Sequence, residues 1–217
     1  MKKIDKIPNP DPVYFQLFPT KISKGDRRRF KIIESVIEII GTKGVKEITF
    51  DAIGKKVGLP RSNIAYHFPN IDELIISSIR YVVSYGQAIT VEYVKKATSP
   101  IEQILFMGAA TIDWLMFKKK DHAPTMLLFY YYGSFDSGFQ EFVLQTRRVG
   151  ADRISAILGS IKGSSELPSR DLHMRSIKIQ SIITGLAMDF ILRKDLKREE
   201  MEEIMNSALM NELKIFL

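Results

Sequence analysis

The stretch RSNIAYHFPN, residues 61–70, brings Arg61, Ser62, Asn63, Tyr66 and His67 together on one short segment. Ile64 and Phe68 are four apart, so on a helix they share one face and are predicted to point inward. The five hydrogen-bonding side chains are then left to project outward. In a major groove Arg can fork onto guanine, Asn can pair with adenine, and Ser can serve either. Tyr and His can reach phosphates or stack, and the start of the helix favours a phosphate. The competing reading is a solvated amphipathic helix with a half-buried aromatic pair. The neighbouring elements and the local charge decide between the two.

The preceding segment, TFDAIGKKVGLP, reads as a second short helix. Thr49 is placed to cap it and Asp51 suits its positive end. Ile53 and Val57 share a face, with Lys55 and Lys56 directed elsewhere. Gly58 fits a left-handed turn and Pro60 suits the next helix start. Upstream, KGDRRRF at 24–30 leads into a longer helix. Phe30, Ile33, Ile37 and Ile40 recur at helical spacing, and Ile32, Val36 and Ile39 widen the stripe. Asp26 is the expected N-cap, and Gly41 and Gly44 are expected to close this helix. Two short helices joined by a Gly-containing turn behind a supporting helix make a helix-turn-helix pattern. Asn70 is placed to cap a following helix reaching about residue 97, with Leu74, Ile75, Ile79, Val82 and Val83 on its apolar face.

Charge favours a polyanion partner. Residues 1–70 carry fourteen Lys and Arg against seven Asp and Glu, so the whole excess of +7 sits in the first third of the chain. A basic N-terminal unit on a neutral body points to nucleic acid or an anionic membrane surface. For a membrane-surface adaptor the basic residues should line one amphipathic helix, whereas here they cluster before the first helix and on the helix-turn-helix. No apolar run approaches the length of a spanning helix, and no signal peptide is expected after the two N-terminal lysines, so a cytoplasmic protein without a membrane partner is expected. There is no cysteine, which excludes disulfides and thiolate chemistry. Only His67, His122 and His173 are present, and no G-x-S-x-G, HExxH, Walker or Rossmann pattern occurs, so a helical enzyme is disfavoured and neither cofactor nor metal is expected.

Gly44, Thr49, Ile53, Gly54, Val57, Gly58, Leu59, Ile64, Tyr66, His67, Phe68, Glu73 and Leu74 stand in the register of a family pattern. Residues 27–74 resemble the DNA-binding domain of the TetR family of bacterial transcriptional regulators. Three departures bear on affinity. Ala65 stands where that family has a phosphate-contacting tyrosine, Ile71 where a lysine is common, and Pro60 where a Ser or Thr cap is usual. The resemblance implies a regulator of the repressor type that binds a palindromic double-stranded operator as a homodimer. Arg28, Thr49, Lys55, Lys56, Arg61, Ser62, Asn63, Tyr66 and His67 are the expected DNA-contacting residues.

The rest of the chain reads as helix after helix, about 100–119, 122–133, 137–162, 168–193 and 198–216, giving an all-α fold. The expected organisation is a flexible, basic, proline-containing arm at 1–23, a helix-turn-helix domain at 24–70 with the start of the linking helix to about 86, and a helical effector-binding and dimerisation domain at 71–217. The resemblance implies that the last two helices build the dimer, with Ile179, Ile183, Leu186, Phe190, Ile204 and Ala208 as the expected interface. Phe106, Thr111, Trp114, His122, Met126, Phe129 and Tyr130 are the candidates to line a cavity for a small, mostly apolar effector.

Overall fold

The computed structural model describes residues 24–164 and 167–216, and the expected arm at 1–23 lies outside them. Among the described residues the regular elements are all helical. They are α1 (Lys24–Lys43), α2 (Phe50–Val57), α3 (Arg61–His67), α4 (Ile71–Val94), α5 (Pro100–Ile112), α6 (His122–Gly133), α7 (Ser137–Gly159), α8 (Ser169–Leu192) and α9 (Arg198–Leu213). Short 3-10 turns occupy Val45–Glu47 and Lys214–Phe216, and a π-helical segment, Asp113–Lys118, follows α5.

Contacts divide the chain into two compact units, one of residues up to 88 together with 119–139, the other of 89–118 together with 140–217. The expected boundary at residue 70 is not where the packing divides, because α6 groups with the N-terminal helices. Gly41 explains how. It was expected, with Gly44, to end α1, but the helix continues to Lys43 and Gly44 alone, at positive φ (90), ends it. A Cβ on Gly41 would lie 2.9 Å from Cα and Cβ of Asp121, so the missing side chain lets α1 press against the start of α6. Farther along, the Tyr132 hydroxyl donates to Asp72 Oδ1 at 3.3 Å and the Arg80 guanidinium lies 5.8 Å from the Phe139 ring.

The first unit's core joins the fully buried aliphatics Ile32, Ile53, Ile64, Leu74, Ile79 and Val82 with the buried rings of Phe68, Phe129 and Phe139. α4 is, among the described residues, the one helix long and apolar enough to cross a membrane, and half of its apolar window is buried.

The second unit is built on Ile104, Ile112, Ile154, Ile179, Met205 and Leu209. α9 packs along α5 and α8. Gly108 faces Met205 and Leu209 so closely that a Cβ there would sit 2.6 Å from Met205 Cγ. Asp113 is only 3% exposed. Its carboxylate accepts from the Tyr93 hydroxyl at 2.5 Å and pairs with Lys118 and Arg198, both at 2.8 Å. The wider turn of a π-helix brings residues five apart together, which is the spacing of Asp113 and Lys118. Burial alone would raise the Asp113 carboxyl. The hydrogen bonds from Lys118 and Tyr93 and the charges of Lys118 and Arg198 outweigh it and hold the group below the ordinary aspartate value.

Candidate nucleic-acid interface

Local chemistry sets α2 and α3. Thr49 Oγ1 accepts from the Ala52 N–H at 3.0 Å, capping α2. At its other end Gly58 is left-handed (φ 71, ψ 38), a conformation a Cβ would penalise. The turn also depends on Gly54, where a Cβ would lie 2.6 Å from the Leu59 carbonyl oxygen. Lys31 on α1 donates its ammonium to the Val57 carbonyl at 2.9 Å, satisfying one of the open acceptors of that helix end. Asn70 Oδ1 accepts from the Glu73 N–H at 2.8 Å and opens α4 as expected.

α3 turns Ile64 and Phe68 inward, both essentially inaccessible. Arg61, Ser62, Ala65 and Tyr66 are exposed, and Asn63 and His67 are half-buried at the flanks. Tyr66 is 85% exposed, far more than an aromatic ring placed for packing. Its ring meets His67 edge-on at 5.3 Å between centroids. Arg28, Thr49, Lys55 and Lys56 are also exposed. Every expected DNA-contacting residue therefore belongs to the first unit.

Several cations here are held by the chain itself. Lys56 pairs with Glu38 of α1, Arg61 pairs with Asp51 of α2 at 3.1 Å, and the Arg29 guanidinium lies 4.9 Å from the Phe68 ring. Sequence reading gave Asp51 only a helix-end role and did not find the Lys31 and Asp51 contacts. Lys31 and Val57 are 26 residues apart, and Asp51 and Arg61 are 10, on different helices, so no helical period relates them.

The expected effector set does not gather in one unit. Phe106, Thr111 and Trp114 belong to the second unit, and His122, Met126, Phe129 and Tyr130 to the first. The Thr111 hydroxyl donates to the Met107 carbonyl, and Phe129 is buried against Phe139. A cavity of about 230 Å³ in the first unit is lined by Glu34, Ile37, Glu38, Tyr81, Lys119, Asp121 and His122, so of the expected set only His122 reaches it. Burial pulls the His122 imidazole down to about 4, against an opposing push from Asp121. The Tyr81 hydroxyl donates to Glu34 at 3.1 Å, and burial followed by the Glu34 charge raises its pKa. Among the described residues, no group of His, Asp and Glu side chains is placed to hold a metal ion.

The expected dimer set needs correction. Ile179, Ile183 and Phe190 are buried in the core of their own unit, so they cannot also face a partner. Leu186 and Ala208 are half-buried, and Ile204 is exposed. The outward stripe of α8 runs instead through Met174, Ile177, Ser181, Gly185 and Leu192.

No protein-family model and no curated protein matches the sequence. Solved structures match over nearly their whole length. A transcriptional regulator from Rhodococcus sp. RHA1 superimposes with a TM-score of 0.74 at 18% identity, covering 86% of this chain and 96% of its own. A TetR-family transcriptional regulator from Rhodococcus sp. gives 0.70 at 13%, covering 85% and 98%. A transcriptional regulator from Saccharomonospora viridis, in complex with choline, gives 0.71 at 14%, covering 85% and 96%. The chain has the TetR-regulator fold. Its α1–α3 are the helix-turn-helix part of that fold, and the later helices form the helical C-terminal part. Within the TetR fold, α3 occupies the place of the second helix of the helix-turn-helix, the one that enters the major groove in such motifs.

Proposed function

We propose that this protein is a sequence-specific DNA-binding transcriptional regulator, a repressor, acting in the cytoplasm as a homodimer whose operator affinity a small molecule modulates. One observation carries the reading. On a short helix braced by buried Ile64 and Phe68, Arg61, Ser62 and Tyr66 stand exposed beside Lys55 and Lys56. Phosphate contacts from Arg28, Lys55 and Lys56 would set affinity and register, and Arg61, Ser62 and Asn63 would set sequence choice. The exposed Ala65 offers no phosphate donor, so Tyr66 and the lysines take over that anchoring.

A dimer supplies the second reading helix, and its two half-sites lie about 34–36 Å apart or at a multiple of that. The exposed stripe of α8 with Ile204 of α9 is the surface suited to pairing, and Gly185 within it leaves room for close approach. The choline carried by the Saccharomonospora viridis neighbour supports a small-molecule effector. Such a ligand acts by binding one arrangement of the dimer more tightly than the other.

The test is selection of bound duplexes from a random pool. A palindromic winner with fixed half-site spacing is the expected result, and winners with no common motif would refute sequence-specific binding. On the selected operator, Asn63→Ala should cost about 1–3 kcal/mol while leaving random duplex nearly unaffected, and Tyr66→Ala should weaken both duplexes alike.

A further inference from the structure

Asp51 and Arg61 form an ion pair that stability does not require. Its Nη1–Oδ2 distance is 3.1 Å, yet the two side chains remain 71% and 67% exposed. Pairs this open contribute little to folding. The Arg61 guanidinium also lies 5.8 Å from the Phe50 ring, so it has an aromatic ring and a carboxylate as near neighbours. Arg61 opens α3 directly after Pro60, whose backbone sits at φ −65, ψ 152, so the base of the side chain is fixed as well. This arrangement aims the guanidinium and places a negative charge at the surface that would face DNA.

An acidic group there repels phosphate. A free Arg61 would grip any duplex through the backbone. Held by Asp51, it has to give up a carboxylate for a phosphate and bring that carboxylate toward the phosphate charge. Base edges offer a better exchange. Guanine presents two acceptors to the guanidinium, and cytosine presents an amino donor that a carboxylate accepts. Discrimination built on a penalty for the wrong partner is a general route to specificity. Resting on the DNA-binding reading above, we infer that Asp51 is a specificity-determining residue. It acts with Arg61 as one reading unit, in which Arg61 takes a guanine and Asp51 the amino group of a cytosine in a neighbouring base pair.

The experiment repeats duplex selection with the full-length protein and with Asp51→Asn, Arg61→Met and the double variant, followed by titrations on the selected operator and on random duplex. Asp51→Asn should bind random duplex several-fold more tightly. It should lower the operator-to-random ratio about tenfold and erase the preference for cytosine at one position next to a guanine. In the Arg61→Met background, Asp51→Asn should change the ratio much less. A thermal midpoint unchanged by Asp51→Asn separates this role from a structural one at the start of α2. Equal weakening on both duplexes, or the same change of ratio with Arg61 absent, would overturn the inference while leaving the regulator reading in place. A wild-type protein that selects no motif would overturn both.

Discussion

Two ion-paired clusters divide the labour of the molecule. In the first unit, Arg61 with Asp51 and Lys56 with Glu38 lie at the surface, each with substantial solvent contact. In the second unit, Asp113 is buried and takes a hydroxyl and two cations at once. The same groups do different work because their dielectric surroundings differ. In water a pair at this distance gains about 1 kcal/mol and is easily exchanged for another partner. Around a buried carboxylate, losing the partners leaves a charge that water cannot reach. The exposed pairs are suited to presentation and exchange, and the buried one to holding the π-helical segment against α9.

The largest expected effect breaks the brace behind the exposed face of α3. Ile64→Ala should destabilise the first unit by about 2–5 kcal/mol, and duplex binding should fall with it because α3 loses its seat. Chemical denaturation monitored by circular dichroism measures this. Arg61→Ala should lower operator affinity with little change in unfolding, so the two variants separate support from readout.

Acid should distinguish the two units. His122 is neutral when folded, with its imidazole pulled down to about 4 mainly by burial. The unfolded chain binds that proton near pH 6.5, so stability falls as pH drops from about 6.5 to 4, by about 3 kcal/mol. Asp113 is held below its ordinary value, so its contribution persists above about pH 4 and is lost only below it. Thermal unfolding at stepped pH should show the first loss in the wild type and a much smaller one in His122→Asn. Asp113→Asn should instead lower stability at neutral pH by about 1–3 kcal/mol.

The smallest effect concerns the Glu38–Lys56 pair. Glu38→Gln should change unfolding by less than about 0.5 kcal/mol. It should tighten binding to any duplex modestly and steepen its salt dependence by about one phosphate contact, since Lys56 is released. Titration against salt concentration checks it. An unchanged slope would mean that Lys56 does not meet the backbone.

How far the sequence could be read follows the same division. The helix-turn-helix was legible because its signals are local. Thr49 caps within three residues, Gly58 needs its left-handed turn, and Ile64 and Phe68 repeat at one helical turn. The polar helix face could be assigned once its apolar face was known. Three members of the dimer set were misplaced for the opposite reason. Ile179, Ile183 and Phe190 form an apolar stripe, and a stripe looks the same whether it faces its own core or another chain. The grouping of the effector set was not legible either, since aromatic richness in two distant segments does not say which segments pack together.

The sequence by itself determined where α2 and α3 start and stop, which face of α3 is polar, and that the positive charge gathers in the first third. These follow from backbone sterics, short-range hydrogen bonds and composition. Asp26, expected to cap α1, lies instead within its first turn. Only the tertiary structure decided that Gly41 brings α6 into the first unit, that Asp113 gathers Tyr93, Lys118 and Arg198, and that Asp51 holds Arg61. Those contacts join residues on separate elements, and their energies depend on burial and distance, which exist only once the chain has folded.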